Sequence, residues 1–159
     1  MDILTERGQE SREKEKVAVD IFLHHYPDYQ YLETPKDSPA IIDAILVKDG
    51  QMHSAIETKC RNMTLEQFTG EFQSKWLVTY DKIANARQLA YSLGIGLTGF
   101  LYLIPSKTLL VTKISCKNGY FQKKIYIEAT KTQKTINGGE ILRNNAYIDM
   151  SDALTLKGI

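Results

Sequence analysis

The chain has 159 residues, of which 43% are hydrophobic and 25% charged, and a net charge of +1. This ordinary globular composition supports one well-buried core, so a single domain over residues 1–159 is expected, and the near-neutral balance points to no particular partner. The two cysteines, Cys60 and Cys116, form no CxxC or Cys/His spacing, the first residues are charged, and the longest apolar run is Gly-broken; a disulfide framework, secretion and membrane insertion are therefore not expected, and a reducing, cytoplasmic setting is.

Taken in chain order, Thr5 to His25 has helical character, with Pro27 just past its end. At about 100° per residue, Ala18, Val19, Phe22 and Tyr26 form an apolar stripe that Val17, Ile21 and Leu23 widen. Glu15 falls inside that stripe, and a carboxylate there needs a partner or a metal. The stretch 29–34 reads as a first strand before the turn-forming PKDSP. AIIDAILVK and MHSAIETKC then read as two β-runs around Asp49-Gly50, the strongest short-range hairpin signal in the chain. Residues 64–93 read as two helices or one broken helix. GFLYLIP, KTLLVTKIS and YFQKKIYIEAT follow as strands, ahead of a β-rich tail. The fold class is α/β.

Two features of the hairpin carry chemistry. Asp43 interrupts an apolar strand, where an aspartate does not simply solvate a surface. Glu57 and Lys59, two residues apart, project to one face of the next strand. The plainer reading of a lone E-x-K is a salt bridge on a solvated face. A strict two-residue turn would pair Asp43 with Ile56 and separate the acids; a three-residue loop, Asp49-Gly50-Gln51, would pair Asp43 with Glu57, and that register is expected. Two oxygen ligands on a cation that keeps several waters suit Mg²⁺ or Mn²⁺, whereas no His or Cys set suits zinc. His24, His25 and His53 receive no role.

Charge is unevenly placed: the chain carries +5 from Pro105 onward and −4 before it. Lys123, Lys124, Lys131, Lys134 and Arg143 are interleaved with Tyr120, Phe121, Tyr126 and Tyr147, a mixture that suits a phosphate backbone, although a solvated β surface would carry the same lysines. GIGLTG follows a helix and precedes a strand, the reverse of a dinucleotide-binding turn, and reads as a helix C-cap and tight loop. TINGGE lacks a following GK[ST] and reads as a turn.

The helix bearing Glu15, followed by IIDAILVKDGQMHSAIETKCR with Ile42, Asp43, Asp49, Gly50, Glu57, Lys59 and Arg61 in order, resembles the PD-(D/E)xK nuclease superfamily over roughly residues 8–104. Pro39 is not adjacent to Asp43, and the tail beyond Ser106 matches no family pattern. The resemblance implies a restriction-endonuclease-like mixed β-sheet flanked by helices, with a β-rich C-terminal extension. It implies a Mg²⁺-dependent deoxyribonuclease in which Asp43, Glu57 and the Thr58 carbonyl hold Mg²⁺, with Mn²⁺ able to substitute. Glu15 would hold a second metal or a metal-bound water, and Lys59 would steer or deprotonate the attacking water. Arg61 would meet a backbone phosphate, and the following helix offers Lys82 and Gln88, equally readable as helix-surface residues. The partner is then nucleic acid, with DNA expected, no membrane, and a homodimer admissible. A catalytically silent nucleic-acid-binding or assembly module of the same fold is the alternative, and an unrelated α/β interaction domain with a structural salt bridge is a third reading.

Overall fold

A computed structural model describes the backbone of residues 6–35, 40–134 and 140–158 and the side chains of 10–35, 40–129 and 144–158. The first helix, α1 (Glu6–His25), follows the apolar stripe: Ala18, Val19, Ile21 and Phe22 are buried. Val17 and Tyr26, expected on that stripe, are 45% and 36% exposed instead. The buried face is narrower than the periodicity suggests because a single sheet covers it, with Phe22 stacked obliquely on Phe100 at 4.9 Å between ring centres.

The strands β1 (Tyr29–Glu33), β2 (Ala44–Lys48) and β3 (Gln51–Arg61) run antiparallel to one another in that order. Strand β2 starts at Ala44, later than its sequence suggests, because Thr34 pins the bend before it: its hydroxyl donates to the carbonyls of Ile42 and Asp43 at 2.7 and 2.9 Å. After β3 the chain crosses over through α2 (Leu65–Thr69), β4 (Lys75–Thr79) and α3 (Tyr80–Ser92) to β5 (Gly96–Leu103), which lies parallel to β3. β6 (Thr108–Ser115) and β9 (Leu154–Lys157) complete a six-stranded mixed sheet in the order β1-β2-β3-β5-β6-β9. A second sheet, β4-β8-β7, is built with β7 (Ile125–Lys134) and β8 (Glu140–Asp149).

Three segments depart from the sequence reading. Residues 75–79 form a strand inside the stretch expected to be helical. Trp76 and Val78 point inward at 1% and 7% exposure, while Leu77 between them is 44% exposed, so the local period is two and β8 supplies the partner. YFQKKIYIEAT becomes a regular strand only at Ile125. The C-terminal third is β-rich but is not an appended extension: β8 pairs with β4 from the crossover, and β9 closes the edge of the main sheet.

Each face of the main sheet has its own core. Ala18, Ile21, Phe22, Ile56, Phe100 and Tyr102 pack between α1 and the sheet. On the other face Ala55, Trp76, Ile83, Ala86, Leu101 and Ile148 pack beneath α3 and the small sheet. The protein is thus a mixed α/β fold with helices on both faces of a mixed sheet, and among the described residues no helix is long and apolar enough to cross a membrane.

Candidate active site

The β2–β3 turn holds only Asp49 and Gly50, whose φ angles of +53° and +73° are the left-handed pair a two-residue hairpin turn demands. The expected three-residue loop is therefore absent. Within the strand the register is nevertheless shifted by the one residue that a three-residue loop would have added, because the hairpin contains a bulge. Lys48 pairs with Gln51 and Val47 with Met52, but Leu46 pairs with Ser54 and Ala44 with Ile56, which leaves His53 as the extra residue. Continued one residue before the strand, this count would set Asp43 against Glu57, but the Asp43 backbone N–H donates to the Ile56 carbonyl at 2.9 Å, and it is the Asp43 side chain whose charge reaches Glu57. Sequence reasoning assigned the extra residue to the turn, and the Asp-Gly preference for a two-residue turn overrode it.

Asp43 reaches across this gap: its Oδ2 accepts a hydrogen bond from the Thr58 backbone N–H at 2.7 Å. Glu57, 1% exposed, points to the α3 side of the sheet. Its Oε1 lies 3.0 Å from Lys82 Nζ on α3 and 3.7 Å from Lys59 Nζ on its own strand. Although the Lys82 contact is short enough for a hydrogen bond, neither oxygen of Glu57 has a partner of hydrogen-bonding geometry among the described residues, so the contact acts as charge attraction. One buried carboxylate thus faces two ammonium groups and a second carboxylate.

The ionisation of these groups follows from that crowding. Burial raises the pKa of Glu57, and Asp43 adds to the rise against the pull of Lys82 and Lys59. Lys59 is lowered, by burial first and by the like charge of Lys82 second, with Glu57 opposing. For Lys82 burial works against the charge, but Glu57 and Asp43 together outweigh it and the pKa is raised. Of the two lysines, Lys59 is the one pushed toward the neutral form that can accept a proton.

Glu15 is half-buried on the side of α1 that faces the sheet. The groups it acts on most clearly are the Cys60 thiol, pushed up to about 12 by burial and then by Glu15, and the Tyr31 phenol, raised chiefly by burial. Tyr31 also feels Asp43, and its hydroxyl lies 3.3 Å from Thr58 Oγ1. Glu15 thus reaches Asp43's neighbourhood from the α1 face, whereas Glu57 lies on the other. Among the described residues no three His, Cys, Asp or Glu side chains gather as a metal cluster. Asp43 and Glu57 remain as a pair of carboxylates, and Thr58 meets Asp43 through its N–H and Tyr31 through its hydroxyl.

The expected nucleic-acid contacts are distributed unevenly. Arg61 is half-buried and donates from Nη1 to the Cys60 carbonyl and from Nη2 to the Leu77 carbonyl, bridging β3 to β4. Lys123 forms a 2.6 Å ion pair with Asp152, while Lys124 is exposed. The side chains of Lys131, Lys134 and Arg143 lie outside the described residues. Lys82, readable in sequence as a phosphate contact or a surface lysine, is instead the closest cation to Glu57. Gln88 is exposed farther along α3.

Gly99 ends the GIGLTG stretch that the sequence reading assigned to a helix C-cap and tight loop. Gly94 does cap α3 with φ +74°, but Gly96 and Gly99 lie within β5 instead of a loop. Gly99 is the cross-strand partner of Glu57, and a Cβ there would meet Trp76 Cζ3 at 2.5 Å. The glycine lets the indole ring approach the strand closely beside the buried carboxylate; the only sequence signal was a glycine inside an otherwise apolar strand. Comparisons of the chain with family models, with curated proteins and with solved structures returned no match.

Proposed function

We propose that the protein is a metal-dependent nuclease of the PD-(D/E)xK kind that hydrolyses phosphodiester bonds in nucleic acid, with DNA the expected substrate. The observation that carries the reading is the buried Glu57 carboxylate, close enough to Asp43 to feel its charge and accompanied by a lysine whose ammonium form is disfavoured. A purely structural ion pair would not need a second carboxylate driving the first one's pKa upward. The donor set suits a hard divalent cation: two carboxylates, one of them with both oxygens lacking a hydrogen-bond partner among the described residues.

Bound by Asp43 and Glu57, Mg²⁺ or Mn²⁺ would neutralise charge on the scissile phosphate and acidify water. The chain's own residues have separate tasks. Thr58 N–H fixes the Asp43 carboxylate. Lys59, whose pKa is lowered, takes a proton from the attacking water or stabilises charge developing on the phosphate. Lys82 pulls the Glu57 pKa down against the effect of burial and would share the carboxylate with the incoming cation.

The 3.0 Å Lys82–Glu57 contact favours one second reading, a silent nucleic-acid-binding module in which Lys82 stands where the cation would. Calorimetric titration with Mn²⁺, together with labelled junction, flap, duplex and single-stranded DNA in Mg²⁺ or Mn²⁺, separates the two. The nuclease reading requires a Mn²⁺ site lost in Glu57→Ala and cleavage of at least one substrate. Nucleic-acid binding without Mn²⁺ binding or cleavage would leave the silent module.

A further inference from the structure

Beside the proposed catalytic residues lies a second feature that their chemistry does not use, a cavity of about 380 Å³ walled by Arg61, Phe68, Phe72, Trp76, Leu101 and Tyr147. It adjoins the strand positions that carry the catalytic residues. Leu101 is the cross-strand partner of Lys59, and Arg61 projects to the same side of β3 as Glu57 and Lys59. Two residues of strand separate Lys59 from Arg61, roughly 7 Å, about the reach of one nucleotide.

The wall combines aromatic faces with an excess of positive charge. Phe72 is 43% exposed, Phe68 and Trp76 are buried behind it, and Arg61 and Lys75 outnumber the single acid, Glu71. Arg61 is held in place by its two carbonyl contacts. The turn that carries Phe72 is also fixed in an unfavourable form: Gln73 and Ser74, neither of them glycine, have φ of +54° and +56°. Ser74 N–H donates to Phe68 O at 2.8 Å, and Ser74 O accepts from Met150 N–H at 2.7 Å, so hydrogen bonds at both ends hold the strained turn.

We propose that this cavity binds one unstacked nucleobase of the substrate strand, with Arg61 on the adjoining phosphate. A flat aromatic group attached to an anion matches aromatic walls rimmed by an arginine, and a cavity of about 380 Å³ has room for a base, which can enter it only when unstacked from a duplex. The inference rests on the nuclease reading and narrows its substrate class to nucleic acid with unpaired nucleotides beside the cleaved bond, as in flaps, frayed ends and single strands.

Trp76, the only tryptophan, reports on the cavity directly. The test titrates the full chain, without divalent metal, with a labelled single-stranded octadeoxynucleotide and with its abasic counterpart. Label anisotropy and Trp76 emission are followed together. The intact strand should change Trp76 emission saturably, the abasic strand should leave it unchanged and bind on the order of 10-fold more weakly, and Phe72→Ala should cost the intact strand a similar factor. Phe72 is exposed enough for that variant to fold, and circular dichroism checks it. Equal binding of both strands with silent Trp76 emission would overturn the base pocket while leaving the nuclease reading standing. Absence of binding by any strand, in the presence of Mn²⁺ as well, would remove both.

Discussion

Lys82 Nζ stands 3.0 Å from Glu57 Oε1, across the gap between α3 and β3. A raised carboxyl pKa means that the folded state holds the proton more tightly than the unfolded one, so Glu57 costs stability as pH rises from its ordinary value of 4.5 through its folded value. Lys82 acts oppositely: its contribution is fully present below 10.5 and is lost as pH rises through its raised folded value. Lys82→Gln should therefore raise the Glu57 pKa further, read by NMR titration of ¹³C-labelled glutamate side chains. The loss of stability at pH 7 should be about 1–2 kcal/mol by urea unfolding, less than the ~3–5 kcal/mol of a fully buried pair, because the Lys82 side chain is 40% exposed.

Asp43→Asn should move the same titration the other way. Removing the like charge lowers the Glu57 pKa, while the amide oxygen still accepts from Thr58 N–H. Mn²⁺ affinity should fall by more than about 10-fold despite the easier ionisation of Glu57, because one oxygen ligand has lost its charge. An unchanged Mn²⁺ isotherm would take Asp43 out of the metal site.

Lys59→Ala should separate turnover from binding. Metal affinity should survive, and the cleavage rate should fall on the order of 10²- to 10⁴-fold, the scale of one lost acid–base or electrostatic group. In the parent chain the rate should climb as Lys59 loses its proton, with a midpoint below 10.5, and that limb should vanish in the variant. A variant that cleaves at the parent rate would reduce Lys59 to a salt-bridge partner of Glu57.

The two adjacent lysines of the basic region should behave differently. Lys124→Glu places a negative charge on an exposed position and should weaken binding to every substrate while lowering the salt slope by about one unit. Lys123→Glu breaks the pair with Asp152 and should act chiefly on stability, by roughly 0.2–1 kcal/mol, as surface pairs do. Salt slopes unchanged from the parent chain in both variants would make the region structural.

Gly99→Ala should destabilise the fold by about 1–3 kcal/mol, the usual cost of overpacking, because the new methyl meets both Trp76 and Ile114. The Trp76 emission maximum should shift with it. A variant with parent stability and spectrum would mean that Trp76 is free to move.

Most of the main sheet was legible because its strands alternate or run apolar between clear turn signals, Pro27, Asp49-Gly50 and Gly94 among them. The one-residue register shift in the hairpin was legible too, although the residue that sets it was not: a bulge at His53 leaves no local signature, since any strand residue can be the unpaired one. Strand β4 was hidden because five residues between two helices carry too little periodicity to outweigh their neighbours, and only pairing with β8, some 70 positions later, makes them extended. Lys82 was visible as a lysine on a helix, but which way that helix turns depends on how α3 packs over β3, a tertiary fact. Glu15 illustrates the converse. Its place on the buried stripe was readable, whereas the face of the sheet that α1 covers, with Tyr31 and Cys60 and not Glu57, was not.

The unpaired His53 also makes the hairpin tolerant of length change at one point and intolerant at its neighbours. Deleting His53 would leave a plain ladder on a two-residue turn in which Leu46 still meets Ser54 and Ala44 still meets Ile56. Deleting Ala55, two positions on, would turn the Glu57 carboxylate toward α1 and its apolar packing. Single-residue gains and losses in chains built on this plan should therefore collect at the position of His53 and be missing from the three residues between it and Glu57.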